Sequence, residues 1–113
     1  MVDLVKAKYG QKYDMTIARR ILMGKDFVSL NIMWVHLDQR SFPMSEADFY
    51  DKIDTICMLL NAWGKASAVR AWLQQKARSE GGLPKRPIVG HAVAFQLDLP
   101  PAIVEEWIGN RLG

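Results

Sequence analysis

The chain has 113 residues, half of them hydrophobic and 24% charged, with a formal net charge of +3. That length holds one domain, 1–113, and the composition lies well away from the disordered class. The balance is mildly basic, which permits contact with an acidic protein or a nucleic acid. It lacks the excess that would make nucleic acid the default partner.

Residues 2–10 read as a short helix in which Val2, Leu4, Val5 and Tyr9 share a face and Gly10 ends the run. A hairpin follows. Tyr13, Met15 and Ile17 alternate with polar or small residues, and Ile21 and Met23 keep the parity. Gly24-Lys25-Asp26 reads as a turn, after which Val28, Leu30, Ile32 and Trp34 alternate in their turn. Arg19 and Arg20 interrupt the first arm, so either the strand ends there or a bulge sits there.

Ser45 followed by Asp48 is a capping pattern, with Met44 and Phe49 placed for a hydrophobic staple. The helix it opens runs to about Ala62, buries Phe49, Ile53, Ile56, Cys57 and Leu60, and closes at Gly64. A second helix spans about Ser67 to Arg78, with Val69, Trp72 and Leu73 on its apolar face. Residues 79–87 read as a loop, and a third strand spans Ile88 to Leu97. Pro100-Pro101 starts a last helix carrying Ile103, Val104, Trp107 and Ile108. The order α-β-β-α-α-β-α defines an α+β fold: a three-stranded antiparallel sheet with helices packed mainly on one face. The pattern leaves open which of the first two strands takes the third.

No catalytic motif stands out, and no enzyme is expected. His36 and His91 fall on separate strands without metal-ligand spacing, so no metal site is expected. His36 reads as a strand-end histidine and His91 as a packing residue. Gly81-Gly82 does not open a helix and matches no nucleotide fingerprint, so no cofactor is expected. The single cysteine, Cys57, excludes an internal disulfide and reads as a core filler in a reducing compartment. No stretch approaches the ~20 apolar residues of a membrane span, and the first residues lack a secretory apolar core. Glu46, Asp48, Asp51 and Asp54 share one helix and read as capping plus an exposed face.

Charge is segregated along the chain. Against that acidic helix, residues 65–86 carry Lys65, Arg70, Lys76, Arg78, Lys85 and Arg86 with Glu80 as the only acid. Arg70, Lys76, Arg78, Lys85 and Arg86 are the candidate partner-binding residues. Trp72 is the one aromatic among them and reads as buried, which argues against base stacking.

The run from Met33-Trp34 through Leu37-Asp38-Gln39 and Ser41-Phe42-Pro43 to Ser45-Glu46 resembles the centre of an uncharacterised family, a domain of unknown function. That family is found in cyanobacteria and in the chloroplasts of algae and plants. The similarity continues through the Asp54 helix, the Trp63-Gly64 turn and the Gly90–Leu97 strand. It implies a location in the chloroplast stroma or the cyanobacterial cytoplasm and carries over no catalytic residue. The leading expectation is a non-enzymatic protein-binding or assembly factor supporting photosynthetic complexes. An RNA- or ribosome-associated protein using the basic face is the second reading, and a small enzyme or ligand-binding domain the third.

Overall fold

Alternating apolar side chains in two successive segments produce a long hairpin, β1 (Tyr13–Leu22) and β2 (Lys25–His36), in the computed structural model, which describes residues 1–77 and 85–108. The remaining elements are α1 (Val2–Tyr9), α2 (Glu46–Ala62), α3 (Ala66–Gln74), β3 (Val93–Gln96) and α4 (Pro101–Trp107). The sheet is antiparallel throughout with order β1-β2-β3, so the third strand pairs with β2. This is the expected α+β fold, with the elements in the expected order.

Cross-strand partners share a face of the sheet. Met15 opposite Ile32, Ile17 opposite Leu30, and Phe95 opposite Leu30 therefore lie on one side. That side is the core: Met15, Leu30 and Ile32 are fully buried. The other side carries Thr16, Ala18, Ser29, Asn31, Ala94 and Gln96, and Ser29 Oγ donates to Asn31 Oδ1 at 2.7 Å along the strand.

The first strand neither ends nor bulges at Arg19-Arg20. The ladder runs through both, with Arg19 opposite Val28 and Arg20 opposite Phe27. Arg20 is tolerated because it is exposed where the hairpin projects past the three-stranded sheet, and Arg19, opposite the buried Val28, is tolerated because it pairs with Asp26 at 2.9 Å. The irregularity instead lies between Tyr13 and Met15, where β2 inserts extra residues. The parity of β2 breaks there, and Trp34 ends half-buried rather than in the core. The hairpin turn also moves. Met23 and Gly24 are its central residues, both with positive φ (53° and 74°), while Lys25 and Asp26 belong to β2.

Ser45 caps α2 as expected: the Asp48 N–H donates to Ser45 Oγ at 3.1 Å. The stripe Phe49, Ile53, Ile56 and Leu60 enters the core, and Cys57 packs partly buried beside it. Gly64 (φ 71°) closes the helix with two reverse bonds, Gly64 N–H to Asn61 O and Lys65 N–H to Leu60 O. Helix α3 is shorter than its sequence pattern, because the backbone turns extended at Gln75. The ladder of β3 is shorter too. Ile88 and His91 form an isolated bridge around Val89-Gly90, so His91 is exposed in a turn and not a packing residue. Trp63 is buried and meets the partly exposed Trp107 of α4 edge-on at 6.5 Å.

Candidate functional site: a cationic groove between two helices

Three of the five expected partner-binding residues come together. Lys76, Lys85 and Arg86 line an open groove of about 560 Å³ with Leu4, Ala7 and Lys8 of α1 and Leu73 and Gln74 of α3. Lys76, Lys85 and Arg86 are all exposed, and no described residue lining the groove is acidic. Arg70 is not part of it. It borders a crevice of about 90 Å³ with Cys57, Asn61 and Val69, and Leu4 and Leu73 line both spaces. Arg78 lies outside the described residues.

Lys8 is the cation that sequence reasoning missed. Its Nζ donates to the Trp72 carbonyl at 2.6 Å and sits 4.3 Å from the centre of the Trp72 ring. Helix α3 has no basic residue in its own last turn. Lys8 supplies that charge from α1, where it meets the negative end of the α3 dipole and adds a second donor to the Trp72 carbonyl, which also accepts from the Gln75 N–H at 3.2 Å. Trp72 is held from a second direction by Phe95, whose ring centre is 4.9 Å away. One wall of the groove is thus fixed by a contact between residues 64 positions apart.

Tyr9, next to Lys8, reports the field of the groove. Burial pushes its phenol up to about 12, and the nearby positive charge of Arg86 opposes that rise. Arg86 is therefore close enough to α1 to act on it electrostatically.

The remaining titratable candidates stand apart. Glu46, Asp48, Asp51 and Asp54 are all exposed on α2. His36 stacks edge-on against Tyr13 at 5.6 Å, and its Nδ1 is buried without a hydrogen-bond partner. The cationic groove is lined by neither histidine. Among the described residues, no three of His, Cys, Asp or Glu come together as metal ligands would. No helix among them is long and apolar enough to cross a membrane.

Fold and groove together define a small α+β protein with a cationic cleft between its first and third helices. The chain belongs to the family described as domain of unknown function (DUF3067), which matches residues 1–108. It is similar to the Alr2454 protein of Nostoc sp. strain PCC 7120, whose solution NMR structure superposes with a TM-score of 0.65. Identity is 34%, over 95% of this chain and 91% of that one. The expected membership of an uncharacterised domain family is thereby shown, and the structural neighbour is cyanobacterial. No curated protein matches the chain.

Proposed function

We propose that the protein is a non-enzymatic binding factor whose cationic groove takes an acidic segment of a partner protein. Its setting is the building or maintenance of photosynthetic complexes, in the plastid stroma or the cyanobacterial cytoplasm. The observation that carries this reading is the convergence of Lys76, Lys85 and Arg86 on one groove with no described acid among its lining residues. The cyanobacterial neighbour supports the setting by association.

The same charges suit a phosphate backbone, but the aromatic component does not. A single-strand platform needs rings with a free face. Trp72, half-buried, has Lys8 over its ring and Phe95 against it. This favours a carboxylate-bearing protein segment over RNA.

The test is capture with the tagged protein from a cyanobacterial extract, with and without nuclease, alongside Lys76→Glu, Lys85→Glu and Arg86→Glu combined. A protein partner that survives nuclease and is lost on charge reversal supports the proposal. Capture that survives the reversal removes the groove from consideration, and capture lost on nuclease treatment transfers the groove to RNA.

A further inference from the structure

The end of the β1–β2 hairpin gathers exposed apolar side chains in one place. Ile21, Leu22 and Met23 are 63%, 56% and 98% exposed, and Phe27 is 39% exposed. They lie together at the tip of the ribbon that projects beyond β3. Exposed apolar residues scattered singly need no explanation, whereas a cluster on a protrusion does.

The turn itself sharpens the point. Both central residues have positive φ, the geometry of the two-residue turn that favours Asn-Gly. Gly24 fits. Met23 does not, since an L-residue with a long side chain is disfavoured in the left-handed region. Among the described residues, the most exposed large apolar side chain therefore sits where a small polar residue would be easier to hold.

Charge surrounds this tip. Arg20 lies opposite Phe27, and Lys25 lies opposite Leu22. Arg19 pairs with Asp26 at 2.9 Å. Arg20 is three residues behind Met23, about 10 Å of extended strand. That matches the depth of ~5–10 Å to which interfacial segments bury apolar side chains beneath headgroups.

The apolar side chains also project from both faces of the ribbon. Leu22 and Phe27 share one face, Ile21 is on the other, and Met23 is at the end. A flat protein partner would cover one face and leave the other wet. A fluid apolar phase surrounds both.

We propose that the β1–β2 hairpin tip inserts into the surface of an anionic lipid bilayer, with Ile21, Leu22 and Met23 entering the apolar boundary, Phe27 and Arg20 opposite one another at the headgroup level, and Lys25 reaching back to the headgroups along its aliphatic stem. The occupant is anionic lipid because basic side chains flank the apolar tip, and cations beside an interfacial segment draw it to negative leaflets.

The experiment is co-sedimentation with vesicles of phosphatidylcholine alone and of phosphatidylcholine mixed with phosphatidylglycerol. The protein is the full chain, compared with the double variant Leu22→Asn, Met23→Asn. The wild type is expected to sediment with the mixed vesicles and far less with phosphatidylcholine alone. The variant is expected to bind the mixed vesicles at least ~10-fold more weakly, having lost two apolar side chains from the inserted tip. Its thermal midpoint, measured in parallel, is expected not to fall, because neither side chain belongs to the core.

Failure of the wild type to bind mixed vesicles overturns the proposal. So does equal binding by wild type and variant, or equal binding to the two lipid compositions. Concentration-dependent self-association that the variant abolishes, without vesicle binding, reassigns the tip to a second copy of the chain.

Discussion

Lys52→Met tests whether the α2–β1 junction is held by charge. Asp14 is 6% exposed, and Lys52 Nζ reaches both of its carboxylate oxygens, at 2.9 and 3.1 Å, and Thr16 Oγ1 at 3.2 Å. The Met15 N–H donates to Asp14 Oδ1 at 2.9 Å. Methionine keeps the aliphatic stem of Lys52 and deletes all three bonds from Nζ. The carboxylate then stays buried at the edge of the sheet with one backbone donor. Removing one member of a fully buried pair costs about 3–5 kcal/mol. The Lys52 side chain is 33% exposed, so water takes over part of its role and the expected loss is about 2 kcal/mol. For a chain of this size that is a midpoint drop of roughly 8 °C. Urea denaturation should show a lower midpoint at unchanged slope. Adding Asp14→Leu to Lys52→Met should recover part of the loss, because the stranded charge is then gone. A loss below about 0.5 kcal/mol would place the pair among ordinary surface ion pairs and refute the reasoning.

Two further outcomes follow from the caps and the groove. Ser45→Ala should cost about 1 kcal/mol, read by chemical denaturation, because the Asp48 N–H loses its acceptor. The Tyr9 phenol is pushed up to about 12 in the folded state by burial, against an ordinary value near 10. Between those values the unfolded chain has released that proton and the folded chain has not. Its contribution to stability is therefore complete below about pH 10 and declines as pH rises toward 12. Tyr9→Phe should flatten that part of the stability–pH profile, and a profile unchanged by the substitution would contradict the assignment.

The parts of this fold that were legible are those decided by local chemistry. Ser45 and Asp48 announce a helix start, and Gly64 announces its end, because capping and left-handed geometry restrict residue choice wherever they occur. The misreadings have tertiary causes. Arg19 and Arg20 read as a strand end or a bulge because a half-buried strand alternates, but Arg20 sits where the hairpin projects past β3 and Arg19 is neutralised across the strands by Asp26. Gly90, Ala92 and Ala94 imitate the small face of a strand, yet only Ala94 lies in β3 and Gly90 (φ 84°) belongs to a turn. The groove was half visible. Lys76, Lys85 and Arg86 are close in sequence and showed as a basic run. Lys8 did not, because its place depends on α1 lying against α3.

The two proposed surfaces respond differently to salt, and that difference separates them. Lys8 and Tyr9 stand at the start of β1, where the Tyr9 and Tyr13 rings meet at 6.5 Å. Met23 is ten residues beyond Tyr13, about 30 Å along the extended strand. A chain held by its tip would thus carry the groove well clear of the headgroups, beyond the ~8 Å screening length at physiological ionic strength. Capture through exposed Lys76, Lys85 and Arg86 is an attraction between solvated charges and should fall steeply as salt rises. Vesicle binding combines a screened term from Arg20 and Lys25 with burial of Ile21, Leu22 and Met23, which salt does not weaken. With a net charge of only +3, the whole molecule adds little to that attraction. Raising sodium chloride from low to near-molar concentration should abolish partner capture and reduce vesicle binding only to a plateau. Vesicle binding that vanished with salt in parallel with capture would mean that charge alone holds the protein to lipid, and the apolar tip would lose its assigned role.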